Sequence, residues 1–567
     1  MQDIIDYLDG EGFSLCAPLR KHGPVVFQGG LKIEVHRYRI EIRFFSRQYD
    51  FPEVVLIDYP FCESTRKQLG FRHISSCGKI CHTDESQTWW DSANAVRLTC
   101  GILEQVKELL IENLCTSPSF DYFFRDFAGY WDSDESIYLS SYPHNTQVFR
   151  CIKEDRSERT WLVSREDSPE WLRGKLIEAG CSWLTMHLRQ APLPKVDRWP
   201  PNSYRDIENW LKSTEPNAAM YVVNVLKRHL FQKSKAKTKD YPGTVGILFT
   251  WSKNGEENLL GGAIKFDIPK IVSQAIAQNR LKQAVIILRR CNPKIKRFSI
   301  DRADSSYIQK RNLPIGTESM KNKRIVMVGA GSIGGYLSNL LCSNGAGWGS
   351  QGQFHIIDLD IFSSENIGRH FLGMDAMGKL KVHALKQKLS SAYPYLNIKA
   401  HPNHVMQRLE ILQKADIIVD ATGSQTVGIS LSEFISTLAE PPTIIHSWIH
   451  GHGIATGVLL NSDKSHACYR CLWLLKKDNY EPRYQLSKES TSDKPVYVGC
   501  HKSYFPYLAS TAMAAATQAS QMLLDFLNGT VVNNLRFNIL DQKKCYQRKD
   551  TLAKSLKDCP FCKNLPK

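Results

Sequence analysis

The chain has little cysteine for its length and no apolar leader at its start. Sixteen cysteines in 567 residues are too sparse for the disulfide framework of a small secreted scaffold, and point to a reducing compartment where thiols serve as ligands or nucleophiles. The opening MQDIIDYLDGEGFSLC has neither the basic n-region nor the apolar core of a secretory signal, so a cytoplasmic protein is expected. The longest uncharged stretch, Ser503 to Leu524, is interrupted by Ser, Thr and Gln and crowded with Ala. That composition predicts a buried amphipathic helix and no membrane span.

What is present is enough chain for about three or four domains at roughly 150 residues each. With 42 % hydrophobic and 23 % charged residues, it has the balance of a folded protein rather than a disordered one. The net charge of +16 is uneven: residues 1–115 carry 13 basic and 16 acidic side chains, residues 151–320 carry 30 and 18. The run Lys227, Arg228, Lys233, Lys235, Lys237 and Lys239 reads as a solvated linker, and no specific nucleic-acid partner is expected.

Three parts are expected, with boundaries at 115 and 318. Residues 1–115 combine the β-branched and aromatic runs LKIEVHRYRIEIRFF and FPEVVLIDYP with a helical pattern from Asp91 to Leu114, predicting a small antiparallel α+β domain that ends near Cys115-Thr-Ser-Pro118. Residues 116–318 predict an α+β linker domain, with strands at Thr244–Trp251 and Ala284–Arg289, helices at Ser203–Lys212 and Met220–Phe231, and no catalytic signature. Residues 319–567 open with strand, glycine turn, helix and strand; the apolar runs Arg324–Val328, Phe354–Asp358 and Asp416–Asp420 suit a parallel α/β sheet.

RIVMVGAGSIGGYLSNLL spaces Gly329, Gly331 and Gly334 as G-x-G-x-x-G between a strand and a helix, where backbone N–H groups and the helix dipole hold phosphates. Asp358 ends the next strand, placed for a ribose. In IIDLDIFSSENIGRHFLGMDAMGKLKV, Asp358, Asp360, Asn366, Arg369 and Lys381 follow in order. This D-x-D, N-x-x-R, lysine series resembles the ThiF, MoeB and ubiquitin-activating family, and so implies a Rossmann-like adenylation domain that uses ATP. The cations suit negative charge on a triphosphate and an attacking carboxylate, for which a hydride-transfer enzyme has no use.

The resemblance covers about 245 residues. Cys468-Tyr-Arg-Cys471 and Cys559-Pro-Phe-Cys562 are paired C-x-x-C knuckles of the sort that hold structural Zn²⁺ in this family. Where the family has a metal-binding Asp, the chain reads Val419-Asp420-Ala421-Thr422-Gly423-Ser424, with Gly423 at the acidic position. Asp420 is the nearest carboxylate; it is either a Mg²⁺ ligand or a structural cap. The family's reactive cysteine lies in a crossover loop, matched here by Lys476–Pro495 and Tyr497-Val498-Gly499-Cys500, just before a helix expected to begin near Phe505. Cys500 is therefore the expected activating thiol, since a helix N-terminus favours thiolate. Cys545, flanked by Lys543, Lys544 and Arg548 after a strand at Leu535–Leu540, is the runner-up, its alternative being an incidental surface cysteine.

In the first domain, His73-Ile-Ser-Ser-Cys77-Gly78-Lys79-Ile80-Cys81, followed by Trp89 eight residues later and preceded by Phe51-Pro52, resembles the ubiquitin-conjugating signature. The resemblance makes Cys81 a transfer thiol. The family's oxyanion-supporting asparagine is replaced by His73, which either donates the same hydrogen bond or merely turns the loop. His82 and Asp84 are secondary candidates for lysine deprotonation, and Cys77 reads as incidental. A conjugating domain, a linker and an activating domain in one chain resemble the fused ubiquitin-activating and ubiquitin-conjugating proteins of bacterial CBASS anti-phage operons. That likeness implies adenylation of a C-terminal carboxylate, a thioester on Cys500, transfer to Cys81 and ligation to a target lysine. It further implies as cargo the C-terminus of a cGAS/DncV-like nucleotidyltransferase, and a homodimer through the adenylation domains, with a partner arginine for which Arg311 is the candidate, its alternative being simple linker charge. The rival readings are a sulfur-carrier adenylyltransferase with an inert first domain, an NAD-dependent oxidoreductase and a non-enzymatic nucleic-acid scaffold.

Overall fold

The computed structural model describes residues 2–16, 23–33, 35–45, 51–59, 73–84, 88–115, 127–133, 135–142, 148–154, 159–164, 176–189, 192, 199–234, 243–251, 259–463, 465–476, 479–488, 495–497 and 503–562. The chain divides into two compact units at Asp304/Ser305.

The first unit opens with helix Gln2–Gly10 and an antiparallel sheet in the order of the chain, β1 (Phe13–Cys16), β2 (Val25–Ile33), β3 (His36–Phe44), β4 (Glu53–Leu56) and β5 (Lys79–Ile80). Alternation along β3 puts Tyr38, Ile40, Ile42 and Phe44 on the buried face, as a one-sided sheet requires. The helix Ala95–Cys115 covers that face with Ile102, Leu103, Val106 and Leu110, apolar positions at helical spacing. Of the two tandem tryptophans, Trp89 is 79 % exposed, and Trp90 is the one that packs, 6.3 Å from Phe44 and 5.8 Å from Phe51 between ring centroids.

Beyond the short helix Phe127–Trp131, seven strands close a barrel: β6 (Ser136–Leu139), β7 (Val148–Glu154), β8 (Thr160–Ser164), β9 (Leu176–Leu188), β10 (Thr244–Trp251), β11 (Leu259–Asp267) and β12 (Lys296–Arg302), in the order β10-β11-β12-β6-β8-β7-β9. Ile137, Leu139, Phe149, Leu162, Trp183, Leu248 and Phe298 fill it. The helices Tyr204–Leu211, Ala218–Ser234, Lys270–Ala277 and Leu281–Cys291 pack outside on a core rich in tryptophan. The strand expected at Ala284–Arg289 is thus helical. Its Val-Ile-Ile run looks like a strand, but Ala284, Val285 and Leu288 are buried while Ile286 faces solvent, a one-turn repeat that no strand satisfies.

The second unit begins with helix Ser305–Arg311, ahead of the position 318 expected. Its sheet runs β15 (Ile398–His401), β14 (Gln353–Ile357), β13 (Arg324–Val328), β16 (Ile417–Asp420), β17 (Thr443–His450), β18 (Ala455–Asn461) and β23 (Leu535–Ile539). The first five strands are mutually parallel and the last two antiparallel. Chain order reverses between β13 and β16, and ligands of open α/β sheets bind at the carboxyl ends of strands beside such a reversal. Two small hairpins, β19 (Trp473–Lys476) with β20 (Asn479–Pro482) and β21 (Val496–Tyr497) with β22 (Ser503–Tyr504), precede helix Ala509–Leu527. That helix is buried along Ala512, Ala515, Ala516, Ala519 and Leu523, and no helix among the described residues is long and apolar enough to cross a membrane.

Candidate active site

The glycine loop leaves the end of β13 and turns into helix Ser332–Ser343, with Gly331 as its N-cap. Gly329 has φ +94°, a conformation that favours glycine. A Cβ on Gly334 would lie 2.0 Å from the Gly329 carbonyl oxygen, whereas one on Gly331 would meet nothing within 4 Å. Gly334 thus permits tight packing of loop on helix, and Gly331 leaves room for a ligand at the helix N-terminus.

Asp358, just beyond β14, braces this loop: Oδ2 accepts from the Ala330 N–H at 2.6 Å and Oδ1 from the Asp360 N–H at 2.7 Å. Burial raises its carboxyl above the usual range against those hydrogen bonds. His370 braces the other side. Its Nε2 faces the Ala330 carbonyl at 2.8 Å and its Nδ1 accepts from the Leu372 N–H at 2.9 Å, so the Nε2–H tautomer satisfies both. Burial pushes its pKa down to about 4. Sequence reasoning missed His370; the signal was its place directly after the N-x-x-R arginine.

Asn366 spends its side-chain oxygen on the N–H of Ser363, closing a capping box on helix Ser364–Ile367. It therefore helps set the entry to Arg369. Arg369 donates Nη1 to the Phe505 carbonyl at 3.0 Å and lies 4.6 Å over the Tyr507 ring. Its Nε is buried with no hydrogen-bond partner among the described residues, an arrangement that invites an anionic oxygen. Lys381 is 7 % exposed and paired with Asp360 at 2.7 Å.

Asp420 ends β16 with Oδ1 accepting from Thr422 N and Oγ1 and Oδ2 2.9 Å from His446 Nδ1; Asp420 and His446 are buried and Thr422 is exposed. Those partners fit the structural alternative and not a Mg²⁺ ligand. Gly423 has φ +64° with no atom near its missing Cβ.

The four knuckle sulfurs converge. Cys468 Sγ lies 3.7 Å from that of Cys471 and 3.6 Å from that of Cys559, and Cys471 Sγ lies 3.6 Å from that of Cys562. The edge of a tetrahedron with Zn–S of roughly 2.3 Å is about 3.8 Å, so these thiols fit zinc. The Leu556 N–H also points at Cys471 Sγ at 3.3 Å, a hydrogen bond that supports thiolate.

Cys500 lies outside the described residues, between the paired strands β21 and β22. The following helix starts at Ala509 rather than near Phe505, because Ser503–Tyr504 is drawn into that hairpin. Cys545 is 0 % exposed, with Sγ 3.6 Å from the Ile454 carbonyl among Ala455 and Leu486; it is a core residue, neither a surface cysteine nor an open nucleophile. Arg311 is exposed, with Nη1 on the Tyr307 hydroxyl at 2.6 Å.

In the first unit Cys81 is exposed directly after β5. Its N–H donates to the His73 carbonyl at 2.8 Å, and His73 has φ +55°, a region where Asn and His are both enriched. The turn-forming reading of His73 therefore has a backbone basis. Cys77 lies 3.1 Å from Ser75 Oγ. His82 holds the Pro52 carbonyl at 3.0 Å and the Thr83 hydroxyl at 2.7 Å, while Asp84 is exposed.

Residues 308–561 match the ThiF family. The ATP-dependent ubiquitin transferase-like protein Cap2 of Pseudomonas aeruginosa is 29 % identical over 377 residues, 65 % of this chain and 63 % of that protein, so that alignment spans somewhat less than two thirds of the relative. The Cap2 protein of Escherichia coli is 26 % identical over 532 residues, 86 % of this chain and 85 % of that one. Among solved structures, E. coli MccB aligns with a TM-score of 0.33 and 17 % identity, over 43 % of this chain and 67 % of MccB.

Proposed function

The chain is a homologue, along most of its length, of the ATP-dependent ubiquitin transferase-like Cap2 proteins and carries a ThiF domain at its C-terminus; from that premise we propose that it activates a protein C-terminal carboxylate with ATP and conjugates it to lysine. The observation that carries the reading is the buried Nε of Arg369, unpaired among the described residues, with Lys381 buried beside Asp360. Fixed cations stabilise charge that grows on phosphate oxygens as the acyl adenylate forms. The loop at Gly331 receives phosphate, and Asp358 keeps the loop rigid. Mg²⁺ is expected to accompany ATP, but Asp420 does not present a carboxylate for it, and no step is assigned to that residue.

In the proposed relay, the Cys500 sulfur attacks the adenylate carbonyl, a C–S bond forms and AMP leaves. Thiol exchange then moves the acyl group to Cys81 with little change in free energy, one thioester replacing another. The lysine Nζ attacks that carbonyl, C–N replaces C–S, and the Cys81 sulfur leaves. The knuckle cysteines Cys468, Cys471, Cys559 and Cys562 hold a structural Zn²⁺. The proposed setting is bacterial anti-phage defence in the cytoplasm, with the C-terminus of a cGAS/DncV-like nucleotidyltransferase as cargo, target-protein lysines as acceptors and a homodimer of adenylation domains.

The test is a non-reducing gel with ATP, magnesium and such a nucleotidyltransferase, run for wild type, Cys500→Ala and Cys81→Ala. A thiol-sensitive adduct should need Cys500 to form and Cys81 to move onward. ATP consumption without an adduct on any variant would instead favour a sulfur-carrier adenylyltransferase.

A further inference from the structure

The loop that leads into Cys81 is fastened from outside its own domain. The His73 N–H donates to the Tyr130 hydroxyl at 3.2 Å, the Ser76 hydroxyl donates to Asp132 Oδ2 at 2.8 Å, and the His73 carbonyl receives the Cys81 N–H at 2.8 Å. Tyr130 and Asp132 belong to the helix Phe127–Trp131 and the residue that ends it, at the entry to the barrel. A single backbone unit, that of His73, therefore joins the barrel to the thiol residue.

The anchoring turn is itself fixed. The Tyr130 carbonyl accepts from Trp199 Nε1 at 2.6 Å, the Trp131 carbonyl from Arg297 Nε at 3.1 Å, and the Asp132 carbonyl from Arg297 Nη2 at 2.8 Å. Arg297 Nη1 also reaches the Pro201 carbonyl at 3.0 Å, and Trp131 donates Nε1 to the Phe298 carbonyl at 2.9 Å. Tyr130 and Trp131 are buried. Three successive carbonyls are thus held from β12 and the Trp199 segment, so the turn cannot follow the loop if the loop moves. On the loop side, Gly78 has φ +82°, and a Cβ there would lie 2.3 Å from the Leu56 carbonyl oxygen; the Ser75–Gly78 turn is locked by Gly78 N–H to Ser75 O at 3.0 Å.

We infer that Tyr130 and Asp132, set by Arg297, are positioning residues for the Cys81 thiol, so that the β-barrel is part of the acyl-transfer site rather than a spacer. Acyl transfer depends on the attacking amine and the thioester carbonyl meeting in one geometry, and loss of that geometry costs rate with no contact to the reacting atoms. The inference rests on the transfer role of Cys81 for its chemical consequence, and on the hydrogen bonds alone for its mechanical one.

The experiment uses the full chain as wild type, Tyr130→Phe, Asp132→Ala and Asp132→Asn. Tyr130→Phe removes one hydroxyl and keeps the buried ring; Asp132→Asn keeps an acceptor for Ser76. Hydrogen exchange by mass spectrometry reads the segment 73–81, and aminolysis by free lysine is followed after Cys81 is loaded by exchange with a small glycyl thioester. Tyr130→Phe and Asp132→Ala should each speed exchange of the segment and slow aminolysis by about tenfold, the effect of one lost hydrogen bond. Asp132→Asn should stay near wild type, and pyrophosphate exchange by the second unit should be unchanged in all. Wild-type exchange and aminolysis in both Tyr130→Phe and Asp132→Ala would overturn the inference. A wild-type Cys81 that takes no acyl group counts against the conjugating function alone, and hydrogen exchange then decides this inference by itself.

Discussion

The ammonium of Lys381 lies 2.7 Å from Asp360 Oδ2, and the two side chains meet water very differently: that of Lys381 is 9 % exposed and that of Asp360 57 %. A buried cation held by a solvated carboxylate can exchange that partner for a phosphate without leaving a second buried charge behind. Lys381→Ala should accordingly lower ATP–pyrophosphate exchange by about 100-fold or more while the far-ultraviolet circular dichroism stays that of the folded protein. Arg369→Ala should do the same, and normal exchange in both variants would remove the adenylation assignment.

The knuckles predict a stoichiometry. Metal analysis should find about one zinc per chain, and Cys559→Ser should lower it together with the melting temperature, because Cys559 packs with Leu459, Leu535 and Ala553 in one buried cluster. A metal-free protein that melts as the wild type does would contradict a structural zinc.

Stability should fall in mild acid. The His370 pKa, pushed down to about 4 by burial, lies below the unfolded value near 6.5. As pH drops, the unfolded chain binds the proton first, so the contribution is complete above about pH 6.5 and is lost progressively towards pH 4. The shift corresponds to about 3 kcal/mol. His355 and His450 are lowered to about 4 as well, mainly by burial. Denaturant midpoints from pH 7 to pH 4 should therefore decline steeply in wild type and less steeply in His370→Gln; an identical slope would show that His370 does not titrate this way.

The tandem tryptophans should separate. Trp90→Ala should destabilise the first unit by about 3 kcal/mol, the scale of removing a packed aromatic, whereas Trp89→Ala should lie within about 0.5 kcal/mol of wild type. Chemical unfolding followed by hydrogen exchange in residues 36–56 measures both, and the reverse ranking would refute the packing described.

Thiol accessibility gives a further check. Brief iodoacetamide treatment of the native protein, mapped by mass spectrometry, should modify Cys81 and leave Cys545 unmodified until denaturant is added, since Cys81 is exposed and Cys545 is enclosed. Rapid native labelling of Cys545 would reopen it as a nucleophile.

Much of the second unit was legible because its signals are local. The glycine loop, the D-x-D segment, the N-x-x-R turn and the C-x-x-C knuckles are each written within a few residues, and each spacing states a backbone need: a positive φ at Gly329, a Cβ-free contact at Gly334, two thiols on one turn. The runs of β13 and β16 are buried on both faces, so their apolar continuity was a direct signal of a parallel sheet.

By itself, then, the amino-acid sequence determined the chemistry on offer and the order in which the chain presents it, since residue type and short spacing are properties of the chain alone. Tertiary structure decided what became of each group. It buried Cys545, bound Asp420 to Thr422 and His446, turned Ala284–Arg289 into a helix, chose Trp90 over Trp89, and joined His73 to Tyr130 across 57 residues. These outcomes depend on which faces meet and which polar groups find partners once distant segments pack, and burial or pairing of that kind is set by contacts that no local pattern encodes.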